Sequence, residues 1–373
     1  MAGRPPNARA GEEATLAGRR IGAGLAPFRR EISPRASASD LWATLETIIS
    51  EPHGFDRLEK QHHKKLDRSA RLRARAYLNQ ARQYYETVES IAPVAKPLTG
   101  YYFALNLTKV FLTALDPGTT KPAAIHHGLS QAIQPGTNYS FKREKFKIHA
   151  NGVFRLLAER TGMRHCWAKD YAIGLSELLP YLPEGYDLFA EGNDQAPDLV
   201  PVHSARALFG PGREAWLRIE IEPAVLRQRK LRAGSLLTKA KPFGDRFRLV
   251  ATEEPTYSYE SNDSYTYGKM RSEVVDDLAR LYDSTLIASD RSFPGPRKFL
   301  VLSHRPKLLS HEAVAFAVLH HLSNVVRYRP ADAERILTTR NAWLLTTWVD
   351  RACENLLLNL ASRITGQEHV IAS

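Results

Sequence analysis

Thirteen histidines stand among the 373 residues, and three adjacent pairs of them, His62-His63, His126-His127 and His320-His321, are the first places to look for chemistry. A neutral imidazole accepts a proton and its cation returns one near neutral pH, so histidine serves as general acid–base or as metal ligand. Ligation needs convergent partners. Neighbouring histidines on a helix point to different faces, and no second ligand recurs with these pairs at i+3 or i+4, so no metal is expected. Proton transfer suits the pattern better. His320, Asn324 and Arg327 share the helix face opposite an apolar stripe of Val314, Val318, Leu322 and Val325, and a solvated polar face is the plain alternative for them. His127, His320 and Arg327 are the candidate catalytic residues.

An arginine followed four to six residues later by a histidine resembles the way helical nucleases of the HEPN class set both groups on an RNA 2′-hydroxyl and its scissile phosphate. Arg160 with His165 and Arg363 with His369 fit that spacing loosely, each with a glycine in between. A metal-independent HEPN-like ribonuclease in a toxin or phage-defence setting is therefore one reading. Glycine-rich phosphate loops, a GxSxG elbow, HExxH and CxxC are all missing, so no cofactor is expected.

Charge points the same way as the histidines, toward an anion. Lys and Arg number 52 against 40 Asp and Glu, a net +12, which makes nucleic acid or another polyanion the first partner to consider. The excess is uneven. From 206 to 248 there are eleven basic and four acidic residues, and from 253 to 290 three and nine, so these two blocks are expected to pair with each other. Between residues 55 and 90 a single helix is expected, with Leu66, Ala70, Tyr77, Ala81, Tyr84 and Val88 on its apolar face. Arg57, Lys60, Lys64, Arg68, Arg71, Arg75 and Arg82 fall within about 80° on the opposite face, a ridge about 38 Å long at ~1.5 Å per residue. Those seven are the candidate nucleic-acid-binding residues. A solvated surface face is the alternative, although like charges spaced i, i+4 weaken a helix slightly.

The elements that must position these groups fall into blocks. Residues 1–39, rich in Arg, Ala, Gly and Pro and without apolar periodicity, are expected to be a disordered tail. Residues 40–195 form a helical N-terminal region, with Asp40 as the first N-cap and a buried helix over 97–116 whose polar interior positions are Asn106 and Lys109. Residues 196–305 change to a period of two. Along 215–222, Trp216, Arg218 and Glu220 alternate with Leu217, Ile219 and Ile221 as a half-buried strand, and 247–252, 256–259 and 298–303 are further strands. Residues 306–373 return to helices, capped by Ser310, which pack on the N-terminal helices. The fold class is α+β and predominantly helical: a helical bundle built from both chain ends, with a small, mostly antiparallel sheet from the middle. Two cysteines, Cys166 and Cys353, make neither a disulfide framework nor a zinc site, which suits a reducing cytoplasm. No apolar run reaches the roughly 18–20 residues of a membrane span, so no membrane partner is expected.

Several segments together resemble one family. Ala81-Arg82-Gln83-Tyr84-Tyr85, the run from Pro97 through Tyr101-Tyr102-Phe103-Ala104-Leu105-Asn106-Leu107 to Lys109, and His127-Gly128-Leu129 are similar to the N-terminal half of the YaaC-like bacterial proteins. Gly152-Val153-Phe154, Leu175-Ser176-Glu177-Leu178-Leu179 and Val326-Arg327-Tyr328-Arg329-Pro330 are similar to the rest, so the resemblance spans about 40–365. It implies a cytoplasmic bacterial protein and brings no reaction with it. If its shared motifs mark a site, that site holds Tyr102, Asn106, Lys109, His127, Arg327 and Arg329. The sequence thus favours a nucleic-acid-associated protein that uses the basic ridge, with the ribonuclease and a protein-interaction scaffold as alternatives.

Overall fold

The computed structural model describes residues 6–13, 15–16, 19–20, 37–50, 52–62, 65–120, 126–132, 139–161, 171–192, 197–269, 274, 277–278, 281, 287–290, 297–302, 309–365 and 369. The fold is α+β and predominantly helical, with small antiparallel sheets. The chain divides into two compact units: one holds residues 1–31, 198–289 and 297–305, the other 32–197, 290–296 and 306–373. No helix among the described residues is long and apolar enough to cross a membrane.

The larger unit is built on α1 (Ala38–Ser50), α2 (Pro52–His62), α3 (Arg68–Ser90), α4 (Lys96–Leu115), α5 (Val153–Arg160), α6 (His311–Tyr328), α7 (Pro330–Leu337) and α8 (Trp348–Thr365). α4 is its axis, packed against α3, α6 and α8. Its sequence is apolar on most sides, so most of it is buried, with Tyr102, Leu105 and Lys109 left half-buried. Gly100 brings α8 close: a Cβ there would stand 3.0 Å from both Cys353 Sγ and Val349 Cγ1. Start signals decide where these helices begin. Ser310 accepts the Ala313 N–H at 3.2 Å, as expected of an N-cap. At α1 the cap is one turn earlier than Asp40: Ser37 Oγ accepts the Asp40 N–H and Asp40 returns the bond to the Ser37 N–H at 2.9 Å, a reciprocal box.

Residues 55–90 are two helices rather than one. Asp67 accepts the Ala70 N–H at 2.6 Å and starts α3, while the Leu66 N–H donates to Glu59 at 2.9 Å. Both bonds take backbone donors that a continuous helix would have used, so the expected straight ridge is interrupted.

A three-stranded antiparallel sheet completes this unit, with Lys145–Ile148 between Leu129–Gln131 and Tyr171–Gly174. Phe146 and Ile148 point into the core while Lys145 and Lys147 stay exposed, the period of two.

The smaller unit is an antiparallel sheet in the order Glu12–Glu13, Ser204–Phe209, Glu214–Ile221, Tyr257–Ser261, Phe247–Val250. Leu217, Ile219 and Ile221 share one core with Leu226, Leu236 and Phe243. The opposite face, expected to be exposed, is buried as well: Trp216 and Glu220 are each 1% exposed and Glu260 is 0% exposed. What covers it is part of the segment read as a disordered tail. Residues 6–13 run along the sheet, where the Arg9 guanidinium lies 4.7 Å over the Trp216 ring and pairs with Glu260 at 3.2 Å. Gly11 clears the indole, since a Cβ there would come within 2.5 Å of it. Opposite charges from the two middle blocks also meet, Arg206 with Glu254 at 3.3 Å and Arg218 with Glu260 at 2.7 Å.

Candidate functional site

His127 and His320, 193 positions apart in sequence, come together with ring centroids 5.0 Å apart. His127 is set by backbone alone. The N–H groups of Val153 and Phe154, the first residues of α5, donate to the carbonyls of His126 and His127 at 2.9 and 3.1 Å. Gly128 and Gly152 make this approach possible, with φ of +82° and +124° and a packing so close that a Cβ on Gly152 would stand 2.5 Å from Gly128 Cα. Both are positions where a side chain is strained. His127 Nδ1 then accepts the Leu129 N–H at 3.4 Å, which leaves Nε2 to carry the proton on an exposed edge.

His320 lies on α6 and is only 3% exposed, so the solvated polar face expected for it is instead packed against the Tyr101 ring of α4 at 5.2 Å. Asn324, one turn on, donates from Nδ2 to His320 Nε2 at 3.2 Å. Burial first, then the neighbouring His127, His321 and His149, drives the His320 pKa down to about 3. Burial and then His126 lower His127 as well, so both imidazoles are neutral at neutral pH. Among the described residues no cluster of three His, Cys, Asp or Glu is placed to hold a metal ion.

The rings continue beyond the histidines. Tyr101 meets Tyr102 at 5.6 Å, and Tyr102 stacks on Tyr84 of α3 at 5.3 Å with planes 23° apart, both of them half-buried. Seven residues along each helix, Lys109 Nζ sits 5.0 Å over the Tyr77 ring, about 10 Å from the tyrosine pair at ~1.5 Å per residue. The tyrosine pair and this cation lie along the seam between α3 and α4, while Tyr101 turns to His320 of α6. Of the five rings, His127 is exposed and Tyr84 and Tyr102 are half-buried, and an exposed ring face of this kind can stack a nucleobase.

The other expected site residues divide. Asn106 is buried and donates to the Tyr102 carbonyl at 2.8 Å, which fixes the helix more than it offers a ligand group. Arg327 is exposed on the His320–Asn324 side of α6, its guanidinium 5.0 Å from the Tyr328 ring. Arg329 is taken up elsewhere, bridging Glu144 at 2.9 Å and Asp332 at 2.7 Å. Arg363 pairs with the buried Glu312 at 2.8 Å, and His369 is buried with its Nε2 2.9 Å from Thr365 Oγ1, so this arginine and histidine serve the core. His165, partner of Arg160 in the other loose match, lies outside the described residues, as do Lys64 and Cys166.

The ridge on α3 is largely spent. Arg71 pairs with Glu59 at 2.9 Å and lies over Phe55 at 4.8 Å. Arg75 donates to the carbonyls of Ile49, at 3.4 Å, and Ser50, at the C-terminal end of α1. Arg82 pairs with Glu46 at 2.5 Å and Glu86 at 2.7 Å. Arg68 is exposed, and Arg57 and Lys60 lie on α2, before the break. Sequence reasoning missed Tyr84 and Tyr101 as members of a row with the histidines, and the glycine pair that places His127. Their signal was present in the Tyr84-Tyr85, Tyr101-Tyr102, His127-Gly128 and Gly152-Val153 motifs.

A family model described as YaaC-like protein matches residues 43–364. No curated protein and no solved structure matches the chain.

Proposed function

The chain belongs to the YaaC-like protein family, and from that footing we propose that it binds single-stranded nucleic acid along the row His127–His320–Tyr101–Tyr102–Tyr84. One observation carries this reading: five rings from four separate segments stand in sequence at centroid spacings of 5.0, 5.2, 5.6 and 5.3 Å. Two of the tyrosines and His127 reach the surface, where they accept a base face without regard to its identity. Lys109 and Arg327 flank the row with charge for the phosphates, and the net +12 favours the encounter. The ridge contributes through Arg68, while Arg71, Arg75 and Arg82 hold helices together.

Fluorescence anisotropy with a short single-stranded RNA and the matching DNA tests this. Affinity should fall with salt at a log–log slope of about −0.7 per phosphate neutralised, and the pair His127→Ala with Tyr102→Ala should weaken it about tenfold or more. No binding at about 50 mM salt, or binding that the double variant leaves intact, would overturn the proposal.

The approach of two neutral imidazoles favours a second reading, in which bound RNA is cut. There the exposed His127 takes the 2′-hydroxyl proton as the oxygen attacks the adjacent phosphorus to form a cyclic phosphate, and the imidazolium so formed returns that proton to the leaving 5′-oxygen. Cleavage of RNA in EDTA that His127→Ala and His320→Ala abolish would support it, and cleavage that survives both would exclude it.

A further inference from the structure

A cavity of about 410 Å³ opens in the larger unit, away from the ring row, between the 139–142 segment, the 176–189 helices and the end of α7. Phe141, Leu179, Phe189 and Ile336 give it an apolar wall, and Leu179 and Ile336 are 4% and 1% exposed. Lys142, Arg335 and Arg340 stand around it together with the hydroxyls of Ser140, Ser176 and Thr339 and the Asn341 amide, and no carboxylate lines it among the described residues. Asp332, 3.5 Å from Arg335, takes up part of that positive charge and is itself shared with Arg329. The wall at Tyr139 is packed on both sides: its ring meets Phe141 edge-on at 5.1 Å and lies beneath the Arg329 guanidinium at 5.2 Å. Arg329 is pinned in turn by Glu144 and Asp332.

These features select a ligand class. Apolar walls with a few convergent polar groups are what holds a small molecule, and pockets of roughly 300–1,000 Å³ suit ligands larger than a simple ion. At about 30 Å³ for each water of liquid volume, inorganic phosphate would leave most of this space unfilled. Lys142 and Arg335, with Arg340 beside them and no carboxylate among the described lining residues, favour an anionic group. We propose that the cavity binds a small organic anion of mononucleotide size, with its aromatic or apolar body against Phe141, Phe189 and Ile336 and its phosphate or carboxylate at Lys142, Arg335 and Arg340. The site is independent of the nucleic-acid reading, since it shares no residue with the ring row.

Calorimetric titration of the full chain with adenosine monophosphate, phenyl phosphate and inorganic phosphate tests this. Phenyl phosphate or the nucleotide should bind saturably, and inorganic phosphate at least about tenfold more weakly, a difference of about 1.4 kcal/mol. Lys142→Glu with Arg335→Gln, both at exposed positions, should weaken the organic anion about tenfold or more. Thr339→Trp, also exposed, should fill the mouth and block binding. The His127→Ala variant should bind these ligands as the wild type does, which separates the two sites. Absence of saturable binding by either organic anion at millimolar concentration would overturn the proposal. So would equal affinity in the charge-altered variant, or inorganic phosphate binding as tightly as phenyl phosphate.

Discussion

The arginines of α3 and the rings along the α3–α4 seam sit on the same helix and are used in opposite ways. Arg71, Arg75 and Arg82 each find a carboxylate or a helix-end carbonyl within the unit, so their charge is neutralised by the fold. Tyr84 and Tyr102 stack on each other, Tyr102 also meeting Tyr101, and both stay half-exposed. A helical wheel places charges on a face; it does not reveal whether α1 supplies their partners. Cations near the C-terminal end of a neighbouring helix also gain from its dipole, which gives Arg75 a structural occupation that its position on the ridge conceals.

This contrast can be broken in four ways. The largest effect should come from Arg329→Ala, which leaves the 4%-exposed Glu144 without its closest cation and should cost about 3–5 kcal/mol in urea unfolding. If that variant keeps its stability and loses RNA affinity, Arg329 belongs with the free groups instead. Gly152→Ala should follow, at about 1–3 kcal/mol from the forced left-handed backbone, with RNA affinity falling as His127 is displaced. An unchanged affinity would show that His127 does not depend on the glycine contact. Arg75→Ala and Arg82→Ala should each cost about 1 kcal/mol or less and leave RNA affinity unchanged. A clear loss of affinity there would return the ridge to the binding surface. The smallest effect is one of pH. Because His127 has its pKa depressed, it is neutral at pH 7 and gains its charge only as the solution is made acidic below the ordinary imidazole range, so affinity for a polyanion should rise on acidification. The rise should vanish in His127→Ala, measured at constant ionic strength.

The depressed histidine also bears on stability, and its sign is opposite. His320, buried and held at about 3, stays neutral in the fold while the unfolded chain takes a proton near pH 6.5. Its contribution is therefore complete above about 6.5 and is lost progressively as pH falls toward 3.

Local patterns were legible in the sequence, and non-local partners were not. The alternation over 215–222 located the strand Glu214–Ile221, and Ser310 located the start of α6, because both follow from residues a few positions apart. The break before α3 was hidden because Asp67 and Glu59 compete for backbone donors in a stretch whose apolar period runs on unbroken. The order in residues 6–13 depends on Glu260 and Trp216, more than 200 positions away, which composition cannot anticipate. Of the site, His127 and His320 were both visible as candidates, and their proximity was not. Nothing in a stripe of Val314, Val318 and Leu322 states that α4 would lay Tyr101 across the other side.

The contact between Gly128 and Gly152 makes the histidine loop and the first turn of α5 one mechanical piece. The Val153 and Phe154 amides, which a helix start would otherwise leave to solvent, are occupied by the loop's carbonyls. Helix ends fray more readily than their middles, so the lifetime of the assembled histidine pair is set by how often that first turn opens. Amide exchange at just those two positions is thus a clock for the site, and a ligand that seats on His127 should slow it without touching α5 at all.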